Sequence, residues 1–432
     1  MTYLSRSRRN FIKTLSTSTL LSASFAPVLA TSPDENQAGH KLSGNQQLPG
    51  TTQEKNTDLY DGPDSPLFKP ITINGNKALS NLTGADVSNE MAEAVVSAPT
   101  GKGTAWGIPF KMGNKILYLR NETVNMEVVP FSSKWLVFLH TSDHIPLVRN
   151  DDGFYKKPFE GVGYLNKHIA NYVIIYTDGD ELSLPVRERF HIGMFRQGWG
   201  ENCTESVAHH KPRPVRPHHD QTAKKWGLSQ IRVNVADRGD WVNWLWAWEN
   251  PHPDKKIKAI RFEPLNKTPI ILSAISTGNV QSNPLRWKSR QKAILTLPPG
   301  IEFDPTLDEY GLLSQIKLDL GQIISATPRL LYPDDEWAQT YNNKVPEKSK
   351  REIIIEYSAH PDAIFHLNGQ HSIPVSDIIK KSTQKILKPI APANKKVKIR
   401  VVEKGSSKPV PVKFHAHGAK DEYLAPINRH RQ

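Results

Sequence analysis

The chain has 432 residues and a formal net charge of +13, long enough for two or three domains. Its single cysteine, Cys203, excludes an intramolecular disulfide and any cysteine-ligated zinc or iron–sulfur centre. A hydrophobic fraction of 38% and 33 prolines favour strands and loops over long helices. The cationic excess suits an acidic polysaccharide or another polyanion. No aromatic–basic repeat of the nucleic-acid-binding kind occurs, so nucleic acid is not expected as a partner.

Residues 7–13 read Ser-Arg-Arg-Asn-Phe-Ile-Lys, the pattern of a twin-arginine export signal, carried by Arg8, Arg9, Phe11 and Lys13. The apolar run that follows is rich in serine and threonine, too short and too polar for a stable membrane span. Small residues at Val28 and Ala30 place cleavage after Ala30. The twin-arginine machinery is then the first partner, and the expected location is periplasmic or extracellular. Residues 31–66 hold almost no apolar side chains and cannot offset their ordering entropy, so a disordered linker is expected there.

Strand patterns then recur through 67–276: near 67–73, 115–119, 124–129, 135–140, 170–177, 186–192, 230–235, 243–249, 257–262 and 270–275. The pattern of 88–98 suits a short helix, and the glycine-rich stretch 100–110 suits a turn. In 241–249, Trp244, Trp246 and Trp248 alternate with Leu245 and Ala247. Both faces are apolar, which predicts a strand covered on both sides and tryptophans used for packing. Many short strands with turn punctuation predict an all-β sandwich.

The runs AWGIPF (105–110), WLVFLHTSD (135–143), NYVIIYTDG (171–179), LPVRERFHIG (184–193) and WAWENPHPDKKIKAIRF (246–262) resemble a galactose-binding-like β-sandwich module. Such modules stand at the front of exported polysaccharide-processing and PHP-type metallohydrolase proteins. The resemblance implies ligand contacts from loops at one end of the sandwich. The candidate loop lies between the 186–192 and 230–235 strands. Trp199 offers an apolar ring face to a sugar. Arg196, Arg213 and Arg216 offer bidentate donors to a carboxylate or sulfate. A basic loop anchored to the core by its tryptophan is the alternative. His209, His210, His218, His219 and Asp220 supply the donors of a transition-metal site, but without a fixed ligand spacing. Apart from such a metal, no cofactor is expected.

A polar turn at 277–287 opens a second β-rich region, 277–392. Strands are expected at 293–297, 315–320 and 352–357, and a short helix at 375–387. In 315–320 the alternation places Ile316, Leu318 and Leu320 inward and Lys317 and Asp319 outward. Glu309, Asp334, Asp335 and Glu336 form an acidic patch read as solvated. Residues 393–432 resemble the first hairpin of an immunoglobulin-like, carboxypeptidase-regulatory-type β-sandwich, with His415 and His417 as an HxH pair lacking partner acids.

No complete catalytic constellation occurs in these residues. The expected function is a non-catalytic carbohydrate- or polyanion-binding accessory role in a polysaccharide-handling system. One alternative is the front part of a secreted metal-dependent hydrolase with its catalytic domain beyond residue 432. The other is a structural envelope protein.

Overall fold

The computed structural model describes residues 59–143, 151–152, 165–196, 203–211, 240–308, 310–331, 347–367, 371–380, 385–390 and 398–412. The export signal at Arg8, Arg9, Phe11 and Lys13 lies outside them. So do the 230–235 strand, Glu309, Asp334, Asp335, Glu336, His415 and His417.

The described chain is all-β. From the N-terminal side come β1 (Phe68–Ile71), β2 (Lys77–Ala78), helix α1 (Asn89–Ala94), β3 (Gly101–Ala105), β4 (Ile108–Met112), β5 (Lys115–Leu119), β6 (Val124–Phe131) and β7 (Trp135–Ser142). Then follow β8 (His168–Tyr176), β9 (Glu181–Arg187), β10 (Ser206–Ala208), β11 (Trp244–Glu249), β12 (Ile257–Pro264) and β13 (Ile270–Gly278). The later strands are β14 (Gln291–Thr296), β15 (Ile316–Leu318), β16 (Gly321–Leu331), β17 (Glu347–Ala359), β18 (Ile364–Leu367), β19 (His371–Pro374) and β20 (Leu387–Pro389), with helix α2 (Val375–Ile379) before the last. Among the described residues no helix is long and apolar enough to cross a membrane.

Two antiparallel sheets face each other. One has the order β10-β11-β7-β13-β5-β2, with β1 also on β13; the other is β6-β12-β8-β9. Between them lie Leu117, Phe138, Tyr172, Trp246, Phe262 and Leu272. Every residue of β7 is buried. Its opposite face, with Val137 and Leu139, packs in a further cluster together with Leu245 of β11, Phe110 of β4 and Leu295, Ile353 and Phe365 of the later strands. The predicted double-sided burial of the tryptophan strand therefore holds, although β7 is the more central strand and β11 is separated from the sheet edge only by the three-residue β10.

Helix α1 starts where the pattern of 88–98 placed it. Ser88 caps it by accepting the Met91 N–H at 3.1 Å, and its own hydroxyl donates to the buried Asp143 at 2.7 Å.

Several elements differ from the sequence reading. The 100–110 turn is instead a complete hairpin, β3 and β4, joined by Trp106 and Gly107 alone. The strand expected at 186–192 lies earlier, at Glu181–Arg187. In β12 a bulge between Ile257 and Ala259 resets the alternation, so Ile257, Ile260 and Phe262 all face the core. The 375–387 helix is one short turn, α2, and Leu387 already belongs to β20. Asp319, expected outward, is fully buried. The strand stops at Leu318, and the Asp319 carboxylate turns in to accept the N–H groups of Leu320 and Ile364 at 2.6 and 2.7 Å.

β16 was not foreseen. It carries Pro328, which has no N–H for a ladder, and it is the edge strand of the β16-β17-β14-β20 sheet, where a missing donor is tolerated.

Candidate functional site

The loop singled out from the sequence is only partly a loop. Its residues 206–208 form β10, which pairs with the tryptophan strand as Ser206 with Trp246 and Ala208 with Trp244. Arg196 is exposed, with its guanidinium 5.4 Å from the Phe195 ring centroid. Trp199, Arg213, Arg216, His218, His219 and Asp220 lie outside the described residues.

His209 continues the β10–β11 ladder. Its N–H donates to the Asn243 carbonyl at 2.8 Å, and its Nδ1 accepts the Asn243 N–H at 2.9 Å. That second bond fixes the ring proton on Nε2. Burial pushes the ring pKa down to about 3, with a smaller contribution from His210. His210 packs edge-on to it at 5.2 Å. Among the described residues no group of three or more His, Cys, Asp or Glu side chains is arranged to hold a metal ion.

Lys211 then turns inward. Its side chain is 7% exposed. The ammonium donates to the Asp319 carbonyl at 3.1 Å and the Asp61 carbonyl at 3.3 Å, and stands 3.6 Å from the Asp61 carboxylate. It also lies 5.6 Å from the Trp287 ring centroid. Burial draws the lysine pKa down and pushes that of Asp61 up, each partly offset by the other's charge. Asp61 in turn accepts the N–H groups of Trp106 and Gly107, at 2.6 and 3.4 Å.

That pair of N–H groups belongs to the tip of the β3–β4 hairpin. Trp106 has φ 57° and Gly107 φ 77°, the two left-handed positions of a type I′ turn. At Gly107 a Cβ would collide with the backbone of Asp319, so only glycine fits. Tryptophan in the left-handed region is a genuine outlier, costing about 1–3 kcal/mol. The conformation brings the Trp106 ring to 4.5 Å from Trp287, tilted by 43°. Both indole N–H groups are satisfied within the protein: Trp106 Nε1 donates to the Ala208 carbonyl at 2.8 Å, and Trp287 Nε1 to that of Pro284 at 2.9 Å. Both side chains remain partly exposed. Arg286 reaches the Thr204 carbonyl just before β10. The hairpin tip, the β10 segment and the 284–288 turn thus meet around two tryptophans and an enclosed cation.

Two further constellations have a structural explanation. His140, fully buried in the sandwich, donates from Nε2 to the His191 carbonyl at 2.9 Å, and its Nδ1 accepts the Tyr172 hydroxyl at 2.9 Å. Burial pushes its pKa down to about 3. The folded protein therefore binds this proton more weakly than the unfolded chain, and stability falls as pH drops below about 6.5. His140 alone is expected to account for about 2 kcal/mol between pH 7.5 and pH 5. Urea denaturation at the two pH values measures this, and a His140→Phe variant with undiminished pH dependence would exclude His140 as the source.

Ser282, His360 and Asp362 stand in the order of a hydrolase triad, with Ser282 Oγ 2.8 Å from His360 Nε2. The proton is on the wrong nitrogen for that chemistry. His360 Nδ1 accepts the Asp362 N–H at 3.1 Å, and Nε2 donates to the Ser282 carbonyl at 3.2 Å. A neutral ring so held cannot take the serine proton. The cluster anchors the 281–283 turn, with the Gln281 N–H also bound to Asp362 at 3.0 Å.

No protein-family model matches the chain, and no curated protein matches it significantly.

Trp106, Trp287 and Arg286 escaped the sequence reading, because 100–110 read as a turn and 277–287 as a boundary. The available signal was the spacing of Arg286, Lys288, Arg290 and Lys292 at every second position around Trp287.

Proposed function

We propose that this protein is an exported carbohydrate-binding accessory component of a polysaccharide-handling system, and that it holds sugar against the Trp106–Trp287 pair. The single observation that carries this reading is Trp106, a bulky aromatic kept partly exposed in a left-handed turn conformation. Backbone strain of this kind persists where the surroundings impose it and clusters at ligand clamps. With both indole N–H groups already bound, the exposed ring surface is apolar, suited to the C–H face of a sugar ring. Lys211 beneath the pair adds a cation that cannot move away. The export pattern at Arg8, Arg9, Phe11 and Lys13 and the likeness to a galactose-binding-like module favour the same role, in the periplasm or outside the cell.

Affinity electrophoresis of the full chain through gels containing neutral, uronic and sulfated glycans tests this. The wild type is expected to be retarded by at least one of them. Trp287→Ala is expected to bind about thirtyfold more weakly, the usual penalty of about 2 kcal/mol for removing a tryptophan anchor, with an unchanged circular dichroism spectrum. Absence of retardation by every glycan class overturns the reading.

A further inference from the structure

We infer that the ligand is a linear anionic polysaccharide, carboxylated or sulfated, which leaves the tryptophan pair along a row of cations on the outer face of the β16-β17-β14-β20 sheet. This rests on the reading of Trp106 and Trp287 as the sugar platform.

The row begins beside the platform. Arg286 and Lys288 flank Trp287, and Lys288 is exposed. The backbone here is tied to the end of β17: the Lys288 N–H donates to the Ala359 carbonyl at 3.1 Å, and the Ser358 hydroxyl donates to the Lys288 carbonyl at 2.6 Å. Two residues further on stands Arg290, and then Lys292, already in β14. Both reach the same carboxylate, Glu356 of β17, at 3.7 and 3.2 Å. Alternate residues of a strand share a face, so Lys292, Ile294 and Thr296 point outward while Ala293 and Leu295 enter the core. Lys388 of β20, exposed, is the cross-strand neighbour of Ile294 and so belongs to the same face.

The charge balance selects the ligand. Glu356 is only 5% exposed and lies under its two cations, where it also accepts the Ser325 hydroxyl at 2.9 Å. Two carboxylates lie on this face, Glu356 and, opposite Thr296, Glu352, which Arg329 holds at 2.6 Å; they stand against Arg286, Lys288, Arg290, Lys292, Arg329 and Lys388. A neutral sugar has no use for such an excess, which would repel itself unless an anion lay on it. Arg286 and Lys292 are six residues apart, a span of at most about 20 Å, and Lys388 extends the row across to β20, which suits a polymer rather than a single residue. A polyanion without sugar rings satisfies the cations and leaves the tryptophans without work.

The full chain is tested by affinity electrophoresis against a sulfated glycosaminoglycan, polygalacturonate, a neutral β-glucan and polyphosphate. Strong retardation by the first two is expected, weakening steeply with added salt. Lys288→Glu is expected to weaken binding to them about tenfold, Lys288→Arg to restore it, and Trp287→Ala to weaken it about thirtyfold. Because Lys288 is exposed, an unchanged melting temperature verifies the fold. Equal retardation by the neutral glucan, unaffected by Lys288→Glu, overturns the anionic inference and leaves the sugar platform standing. Polyphosphate binding that equals glycan binding and survives Trp287→Ala also overturns it, by reducing the row to general charge attraction. Retardation by none of the polymers removes the platform itself.

Discussion

Replacing Trp246 by alanine is expected to unfold the sandwich, at a cost of about 3–5 kcal/mol. The side chain is 4% exposed, and its ring stands 5.4 Å from Phe138 and 4.6 Å from His191. It therefore plugs the space between the two sheets and also supports the segment 188–196, which Trp244 holds from the adjacent position by donating to the Met194 carbonyl at 2.8 Å. Truncation leaves a cavity that β7, buried on both faces, cannot collapse to fill. Total stabilities of about 5–15 kcal/mol leave little after such a loss. Urea denaturation followed by tryptophan fluorescence and far-ultraviolet circular dichroism reads the effect. Trp246→Phe, which keeps most of the volume, is expected to cost clearly less. An alanine variant as stable as the wild type that had lost only glycan binding would reverse the assignment and make this strand the ligand platform.

Lys211→Met is expected to destabilise the protein by a similar amount, about 3–5 kcal/mol, because it leaves Asp61 as an uncompensated buried charge. The neighbouring Trp106 and Gly107 N–H groups soften that loss without neutralising it. In the double variant Lys211→Met with Asp61→Asn, the carboxylate is gone as well. The combined cost is expected to fall well below the sum of the two single costs, and the difference measures the pair's coupling. Strict additivity would mean that the two side chains do not interact. Since the pair supports the hairpin tip from below, glycan binding in Lys211→Met is expected to weaken together with stability.

Much of the fold was legible where burial is symmetrical. The continuous apolar run of β7 and the tryptophan alternation of β11 state their two-sided burial directly, and Ile353, Ile355 and Tyr357 of β17 face inward as their spacing requires. What was hidden depends on contacts distant in sequence. Alternation does not mark Asp319 as buried; its carboxylate turns in to the N–H groups of Leu320 and Ile364, the second of them distant in sequence. The bulge at Lys258 inverts the side-chain pattern in a way that alternation alone cannot express. The hairpin of Trp106 was masked because its glycines suggest a loop, while the feature that makes it a turn is a strained tryptophan. The candidate site was legible as a composition, basic and aromatic, but not as a place. Its aromatic pair joins residues separated by most of the sequence between β3 and β14, and Lys211, which falls within the stretch expected to be a loop, is locked beneath them.

The hairpin tip also determines where this chain tolerates being lengthened. Open turns are usually tolerant of insertion, and those at Gly179 and Gly300 have no atom within 4 Å of an added Cβ. At Trp106–Gly107 the backbone is pressed against Asp319 and gripped by Asp61. A tag, fluorophore or fused domain therefore belongs at the former two positions, which leave the tryptophan pair undisturbed, whereas the turn that looks most permissive in sequence is closed to any added residue.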